Sequence, residues 1–215
     1  VHNQLDMMVN ADYGFDGDNI VNVNLNNTEY GTLKNELSKY SSITSIAASS
    51  HVPAAGTSYG DELKINPQDE GLEFNYFAVD ENYIDNLGLQ LIAGSNFKSN
   101  DVKENFNKII VNEQMVEKLN FAYPVDAIGQ SVIVDDSLTY SIIGVLKDYN
   151  HQAMVSAIGP MALMPNPEQF NILQLKYNGL NKDAALVDIK NAWSNINPTK
   201  KIDYKYFTEE VRMFY

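Results

Sequence analysis

Residues 140–150 read YSIIGVLKDYN, and this stretch decides the fold around it. Its centre, IIGVL at residues 142–146, is a short apolar run rich in β-branched side chains, which is typical of a buried strand. Gly144 interrupts the run, and a glycine inside a strand indicates a β-bulge or a close approach of another backbone. We therefore predict a strand that is bent or crowded at Gly144.

One pattern of strand, helix and strand occurs at both ends of the chain. The patterns comprise strands at residues 20–25, 43–48, 172–177 and 202–207, with helix N-caps at Thr28 and Asn181. One more helix can start at Thr208. Each end of the chain is therefore predicted to form a β-α-β unit.

The region between these units is rich in short strands. Residues 131–134 and 139–146 flank Asp135 and Asp136 and are predicted to form a hairpin. Further strands are predicted at 63–65, 72–79 and 108–111, and helices are predicted after Asp80 and Asn112.

These patterns predict an α+β protein with helices segregated from a shared sheet. Residues 1–79 and 151–215 are expected to form one split subdomain, and residues 80–150 an inserted, strand-rich subdomain. Neither β-α-β unit alone can bury the apolar stripe of its helix, so strands of both units should share one sheet. Trp193 belongs to the stripe of the second helix and should lie against that sheet.

The amino-acid composition argues against several kinds of binding partner and excludes sites that need cysteine. The chain has 215 residues, 44% of them hydrophobic as in ordinary folded domains, and a formal net charge of −13. An acidic chain without a basic face argues against nucleic-acid binding and against direct adsorption on anionic lipid. Cysteine is absent, which excludes disulfides and thiolate metal sites.

Targeting and membrane signals are weak in this sequence. The longest apolar runs have four or five residues, far short of a membrane span, and there is no signal-peptide pattern. The sequence starts at Val1 and stops at Tyr215 inside a helical pattern. We expect it to be a fragment of a longer protein.

One segment matches a catalytic pattern. Residues 56–60, GTSYG, satisfy G-x-S-x-G, in which a serine nucleophile sits on a sharp turn between a buried strand and a helix. Here Pro53 and two alanines precede the motif and a strand pattern follows it, so we interpret the segment as a loop. A secreted hydrolase that uses Ser58 stays open as an alternative.

The histidines and the acidic stretch near the N-terminus do not form a recognisable metal site. His2, His51 and His151 lack the spacings of helix-borne zinc ligands. His151 follows Asp148 by three residues, which would allow a carboxylate to orient an imidazole, but we interpret it as a surface histidine. Residues 12–19, DYGFDGDN, lack the glycine and glutamate of an EF-hand and read as a turn. No metal and no cofactor is predicted.

Three phrases in a fixed order resemble a known family: LGLQLIAGSNF at 87–97, KIIVNEQMVEKL at 108–119, and residues 140–150. Together they are similar to the MacB-like periplasmic core domain of bacterial ABC transporter permeases, the group that also holds FtsX-like permeases. The positions that match the family's motifs are Gly94, Phe97, Asp101, Asn112, Glu113, Gly129, Gly144, Asp148 and Pro160. Ser95 stands where the family often has arginine, so a salt bridge from that arginine is not expected here.

The resemblance implies a split porter-like subdomain with an inserted Sabre-like subdomain, in agreement with the organisation read from the strand patterns. It implies a non-enzymatic domain in the periplasm, flanked by the membrane helices of an inner-membrane permease. Its implied role is to transmit ATP-driven motion of those helices to periplasmic cargo or partner proteins. The implied partners are an ABC ATPase subunit or domain, a second permease copy, and a periplasmic adaptor or cargo protein.

Two further expectations concern the chain by itself. We expect a monomer, because a charge of −13 repels a second copy over about 8–10 Å at physiological salt. Residues 208–215 should form a helix that lies close to the N-terminal residues, if both ends lead into one bilayer. A free-standing periplasmic binding protein is the other alternative that the sequence leaves open.

Overall fold

The computed structural model describes residues 12–99, 102–153 and 156–214, and it confirms the predicted α+β class. The strands are β1 (Ile20–Asn24), β2 (Ile43–Ser49), β3 (Tyr59–Lys64), β4 (Leu72–Ala78), β5 (Leu91–Gly94), β6 (Lys108–Asn112), β7 (Ser131–Val134), β8 (Leu138–Leu146), β9 (Met161–Met164), β10 (Ile172–Tyr177) and β11 (Tyr204–Tyr206). The helices are α1 (Tyr30–Leu37), α2 (Tyr83–Asn86), α3 (Val102–Asn105), α4 (Glu113–Lys118), α5 (Pro124–Ala127), α6 (Lys182–Ile196) and α7 (Phe207–Arg212).

Strands from both ends of the chain form a four-stranded antiparallel sheet. Its order is β11-β1-β10-β2, so β10 lies between β1 and β2, and β1 lies between β10 and β11. This is the split β-α-β arrangement, in which each unit places one strand between the two strands of the other. The prediction that both units share one sheet is therefore confirmed.

The helices α1 and α6 bury one face of the four-stranded sheet. Val21 and Leu175 from the sheet share a buried core with Leu33 of α1 and Trp193 of α6. Trp193 is 2% exposed, and its indole N–H donates a hydrogen bond to the carbonyl oxygen of Lys200 at 2.7 Å. The indole therefore lies where the sequence predicted, with its polar atom satisfied.

The other seven strands form a second sheet that closes on itself. Its order is β5-β8-β6-β9-β4-β3-β7, and β7 also pairs with β8. Six strands thus make a closed ring, and β5 joins the ring only through β8. The apolar residues of one face of these strands, together with Met115 and Val116 of α4, form a separate buried core. Closure leaves few exposed strand edges, as in small β-barrels.

Strand β8 bends at the glycine that the sequence singled out. Ile109 of β6 pairs with Ile142, but Ile110 pairs with Gly144, so Ile143 is the extra residue of a β-bulge. The first part of β8 pairs with β7 as the predicted hairpin, and the last part pairs with β5. A Cβ at Gly144 would lie 2.6 Å from the carbonyl oxygen of Ser95. Both expectations for Gly144, a bulge and a close backbone approach, are confirmed.

The sheets group the chain differently from the predicted subdomain limits. Strands β3, β4 and β9 lie outside residues 80–150, yet they hydrogen bond within the closed ring. The reason is pairing across the chain, since β4 runs parallel to β9 and β3 pairs with β7. The sequence pattern did not predict β9, whose residues MALM lack β-branched side chains. The division at residues 80 and 150 stays a prediction.

The terminal segments that are described lie together. Phe15 packs edge-on against Phe207 of α7, with ring centroids 5.5 Å apart. Helix α7 starts at Phe207, one residue before the predicted cap Thr208. Within residues 12–99, 102–153 and 156–214, no helix has the length and apolarity needed to cross a bilayer.

Replacing Gly94 by alanine should destabilise the protein far more than the same change at Gly129. Both glycines have positive φ, at 72° and 82°, so each alanine carries a similar backbone strain of about 1–2 kcal/mol. Only at Gly94 would the methyl group also overlap the carbonyl oxygen of Ile143, because space around Gly129 is open. Urea unfolding should show a loss of about 3 kcal/mol or more for Gly94→Ala. Equal losses for the two variants would contradict this packing.

Trp193→Ala should lower the free energy of unfolding by about 3–5 kcal/mol, because it removes a large buried ring from the core under α1 and α6. Val187→Ala on the same helix is the control, since Val187 is 56% exposed, and it should change stability by at most about 0.5 kcal/mol. Thermal and urea unfolding of the two variants measure the difference. A Trp193→Ala loss as small as that of the control would refute the assigned core.

Candidate functional site

The two sheets are joined by backbone hydrogen bonds where β4 leaves the ring. The Ser50 N–H donates to the Ala78 carbonyl oxygen at 2.8 Å, and the Asp80 N–H donates to the Ala48 carbonyl oxygen at 3.1 Å. The Ser50 hydroxyl oxygen also accepts a hydrogen bond from the Ala78 N–H at 2.9 Å. We call these residues, 48–50 and 78–80, the inter-sheet junction. They connect the edge strand β2 of one sheet to the end of a ring strand.

A buried carboxylate reinforces the inter-sheet junction. The Nζ atom of Lys34 on α1 lies 3.2 Å from Oδ2 of Asp80, whose side chain is only 2% exposed. The other oxygen, Oδ1, accepts a hydrogen bond from the Asn82 N–H at 3.1 Å. Burial raises the pKa of Asp80, and the positive charge of Lys34 opposes that rise. The ion pair thus ties α1 to the segment that follows β4.

One apolar core runs between the two sheets. Ile20 and Ala47 of the four-stranded sheet are buried in the same cluster as Phe77 and Ile110 of the ring. Phe207 of α7 joins the same cluster and is 1% exposed. Since protein interiors are close-packed, a displacement of one sheet presses directly on the other.

Three of the predicted family-motif positions meet in one polar network at the ends of β6 and β8. The side chain of Asn112 is fully buried and donates to Oδ1 of Asp148 and to the Gly159 carbonyl oxygen, both at 2.9 Å. Its own oxygen accepts from the N–H groups of Met115 at 3.1 Å and Met161 at 2.9 Å. All four hydrogen-bonding positions of this amide are therefore used. Asn112 caps α4 and at the same time holds β9 and the end of β8 in place.

Asp148 and Glu113 complete this network. Oε2 of Glu113 accepts a hydrogen bond from the Asp148 N–H at 2.8 Å. Asp148 in turn accepts from the backbone and side-chain N–H groups of Gln114, both at 3.2 Å. Burial raises the pKa of Asp148, while the hydrogen bonds from Gln114 and Asn112 lower it and the charge of Glu113 raises it. The carboxylate therefore positions the start of α4, and the residue itself is partly exposed.

The remaining motif positions occupy places where the backbone is constrained. Gly94 pairs with Gly144 across β5 and β8, and the Gly129 N–H donates to the Ile142 carbonyl oxygen at 2.8 Å. The carbonyl oxygen of Pro160 accepts from the Asn75 N–H at 3.1 Å. Phe97 is buried in the core between the sheets, and Asp101 lies outside the described residues. Their roles as family-motif positions stay predictions.

The geometry around Ser58 does not form a nucleophile elbow. Ser58 precedes strand β3, whereas an elbow serine lies between a strand and a helix. Its hydroxyl donates to Oδ1 of Asn75 at 3.1 Å. His51 contacts Ser50 instead, with Nδ1 2.8 Å from that hydroxyl oxygen. Residues 56–58 lie in the loop before β3, as the sequence indicated, whereas Tyr59 and Gly60 already belong to that strand.

His151 is buried, and its interpretation as a surface histidine is wrong. The residue is 1% exposed, and its Nδ1 lies 3.4 Å from the carbonyl oxygen of Tyr149. Burial lowers the pKa of His151 to about 4, so the ring is neutral near pH 7. The hydrogen bonds of Asp148 go to Asn112 and Gln114, so this carboxylate does not orient the imidazole.

The acidic stretch near the N-terminus forms turns, as predicted. Asp12 accepts a hydrogen bond from the Gly14 N–H, and Asp16 accepts one from the Asp18 N–H, both at 2.9 Å. Asp16 also pairs with Lys176 at 3.1 Å. Among the described residues, no group of three or more histidines and carboxylates is placed to hold a metal ion.

One of the open grooves on the surface is lined largely by polar side chains. This groove of about 570 Å³ lies along β3 and β4, where its lining includes Asp61, Glu62, Glu73 and Asn75. Small-molecule sites are mostly apolar clefts with a few polar groups. A groove lined in this way gives little support to a free-standing binding protein for small ligands.

Sequence reasoning missed the residues of the inter-sheet junction. Lys34, the one lysine of helix α1, was not singled out, and Asp80 was predicted to cap a helix, whereas α2 begins at Tyr83. Gln114 directly follows Asn112 and Glu113 in the sequence. This adjacency was the one feature of the sequence that pointed to its contact with Asp148. The other contacts join residues that are distant in sequence.

Comparison with known proteins identifies the family. The model of the MacB-like periplasmic core domain matches residues 5–196. The chain belongs to this family. A comparison with curated proteins gave no match. The match to the family model confirms the resemblance read from the three phrases.

Solved structures of two transporter domains have a similar fold. The periplasmic region of MacB from Actinobacillus actinomycetemcomitans superposes with a TM-score of 0.67 at 16% identity, with 96% of each chain covered. The extracellular domain of the noncanonic ABC-type transporter YknZ from Gram-positive bacteria gives a TM-score of 0.63 at 14% identity, covering 87% of this chain and 98% of that one. The chain is the periplasmic core domain of a MacB-like ABC transporter permease.

Removing Lys34 should leave Asp80 as an unpaired buried charge. We expect Lys34→Met to lower the free energy of unfolding at pH 7 by about 3 kcal/mol, and the double variant Lys34→Met/Asp80→Asn to recover more than half of that loss. The loss should shrink as the pH is lowered toward the ordinary carboxyl range, because protonation neutralises Asp80, whose pKa is already raised. Urea unfolding at several pH values measures both effects.

Lys39→Met is the control for this cycle. Lys39 lies on the surface beyond the end of α1 and pairs with Glu36 on that helix, so its loss should cost at most about 0.5 kcal/mol. If the double variant is as unstable as Lys34→Met, the buried ion pair does not explain the effect.

His151 should make the protein less stable in mild acid. In the unfolded chain His151 takes up a proton near pH 6.5, and in the folded chain it does so only near pH 4. Between these pH values protonation of His151 therefore favours the unfolded state. The free energy of unfolding should therefore fall by up to about 3 kcal/mol from pH 7 to pH 4 through this group. Asp80 and Asp148 act in the opposite direction, because their raised pKa values favour protonation of the folded state.

Comparison with His151→Gln isolates the contribution of the histidine. The variant is expected to be less stable at pH 7 but to lose less stability than the parent chain on acidification. Parallel curves of unfolding free energy against pH for the two proteins would show that His151 is not buried in the neutral form.

Proposed function

We propose that this domain transmits motion of the membrane helices of its parent permease to proteins in the periplasm. The observation that carries the proposal is the connection between the two sheets. Backbone hydrogen bonds, a buried ion pair and one apolar core join them. A domain built in this way moves as one body when its terminal segments are displaced.

The terminal segments are placed to deliver such a displacement. Phe15 and Phe207 contact each other and belong to, or pack on, the core between the sheets. Asn22 of β1 donates a hydrogen bond to Glu210 of α7 at 2.8 Å, so the last helix is also fixed to the four-stranded sheet. A movement of either terminal segment therefore acts on both sheets together.

The proposed setting follows from the family. The parent protein is an inner-membrane permease with this domain in the periplasm, and it works with an ABC ATPase subunit or domain and a second permease copy. A periplasmic adaptor or cargo protein receives the motion. The likeness to the periplasmic region of MacB supports this setting. The isolated domain is a monomer in this proposal, and a tight dimer at micromolar concentration in light scattering would contradict that part.

The domain is proposed to be non-enzymatic. Ser58 donates its hydroxyl hydrogen to the amide oxygen of Asn75 and not to a base. The purified chain should hydrolyse an activated ester such as p-nitrophenyl acetate no faster than Ser58→Ala or His151→Ala. A rate that either substitution abolishes would instead support the serine hydrolase.

Spin labels test whether the two sheets move as one body. Cysteine is absent from this sequence, so Leu180→Cys near the four-stranded sheet and Val125→Cys near the ring provide unique label sites within the domain, at positions 90% and 66% exposed. In the assembled parent transporter, ATP should change the distance between equivalent labels on the two permease copies. The distance between the two sites within one copy should stay constant.

Lys34→Met provides the variant with a weakened inter-sheet junction. In that background the Leu180 labels should still respond to ATP, while the response of the Val125 labels should shrink or broaden. Lys39→Met should behave like the unmodified protein. If ATP leaves both inter-copy distances unchanged in the unmodified transporter, the proposed transmission is wrong.

A further inference from the structure

The loop between β2 and β3 connects the two sheets and is held to the ring at both of its ends. Near its start the His51 ring stacks on that of Phe77 in β4, with centroids 5.4 Å apart. At its end the Ser58 hydroxyl donates to Oδ1 of Asn75, also in β4, at 3.1 Å. We call residues 50–58 the connecting loop. Because interiors are close-packed, a displacement of this loop acts on strand β4 from two positions.

The middle of the connecting loop has a backbone conformation that is rare for a residue with a side chain. Ala54 has a φ of 60°, in the left-handed region, and is fully buried. Its N–H donates to the carbonyl oxygen of His151 at 3.2 Å, and Val52 and Ala55 are buried in the core between the sheets. Strained residues persist only where the surrounding structure holds them, and they are found at sites that switch or clamp. The connecting loop is therefore a tightly held element of the fold.

The residues that follow α7 pack on the connecting loop. A Cβ at Gly56 would lie 2.9 Å from both Cδ1 and Cε1 of Phe214, so this phenylalanine ring rests directly on the backbone of Gly56. The Phe214 N–H donates to the carbonyl oxygen of Val211 at 3.2 Å, which fixes the ring to the last turn of α7. Val211 itself is buried in the core between the sheets. A shift of α7 along its axis therefore presses Phe214 against the loop or lifts it away.

We propose that Phe214 and the connecting loop pass a displacement of α7 to the ring. The inference rests on the proposed function for the source of the displacement, and it adds the side chain that carries it onward. Glu210 of α7 accepts a hydrogen bond from Asn22 of the four-stranded sheet, whereas Phe214 rests on a loop that is held to β4. Helix α7 is thus bonded to one sheet directly and reaches the other through the connecting loop. Chains of packed side chains of this kind are the physical carriers of coupling between distant sites.

A double-variant cycle in the whole chain tests the contact. Gly56→Ala should lower the urea midpoint of unfolding more than Gly129→Ala, because both glycines have a φ of 82° but only Gly56 lies against a ring. In a Phe214→Ala background this additional loss at Gly56 should disappear, since no ring is left to displace. A Gly56→Ala loss that is the same in both backgrounds would overturn the assigned contact and the proposal with it.

Spin labels in the assembled parent transporter test what the contact does. Phe214→Ala should weaken the ATP response of the Val125 labels on the ring by about twofold or more. The Leu180 labels near the four-stranded sheet should respond as before, because the hydrogen bond between Asn22 and Glu210 is retained. Met213→Ala is the matched control, since Met213 precedes Phe214 and is 70% exposed, and it should change neither response.

The outcomes separate this inference from the proposed function. If the unmodified transporter responds to ATP and Phe214→Ala leaves the Val125 response unchanged, the connecting loop is not the path and only this inference is overturned. An equal loss at the Val125 and Leu180 labels would overturn it as well, because Phe214 would then serve the whole domain and not the ring. If the unmodified transporter shows no response at either label, the proposed transmission is wrong and this inference is wrong with it.

Discussion

The bend of β8 at Gly144 is the constraint on which the ring of strands depends. A regular strand has two edges and offers each to one partner, yet β8 pairs with β6 along one edge and with β7 and then β5 along the other. The β-bulge at Ile143 lies between the part of β8 that pairs with β7 and the part that pairs with β5. It shifts the residues after it by one position relative to their partners in β6. Ile142 and Val145 are three residues apart and still share one buried core. A side chain at Gly144 would push β5 and Ser95 away, so the lack of space requires glycine at this position.

Polar groups, not only apolar packing, fix the ends of the ring strands. Asn112 ends β6, caps α4 and holds both Asp148 and the backbone around Pro160. A buried amide with every hydrogen bond made specifies one arrangement, because any slip in register would leave donors or acceptors unpaired at a cost of about 1–3 kcal/mol each. The structure therefore gives Asn112, Glu113 and Asp148, which are predicted family-motif positions, a role in fixing the fold.

The two parts of the fold differ in what they offer to other molecules. The ring is closed, so its strands have few free edges, and the groove along β3 and β4 is lined by carboxylates. The four-stranded sheet keeps an open edge at β11, which has no second partner among the described strands. Between these parts, the inter-sheet junction provides a short and rigid connection. A domain whose two sheets are connected in this way suits the proposed transmitting role.

The sequence by itself determined the α+β class, the strand at residues 140–150 with its crowded glycine, the two terminal β-α-β units and the buried position of Trp193. It also determined the family, through short phrases in a fixed order. These features depend on local periodicity, turn residues and glycine, which act over a few neighbouring positions. Only the tertiary structure decided that β3, β4 and β9 join the ring, that Lys34 reaches Asp80, and that His151 is buried. Those contacts join residues far apart in sequence, and their energies depend on burial and on partners that no local pattern specifies.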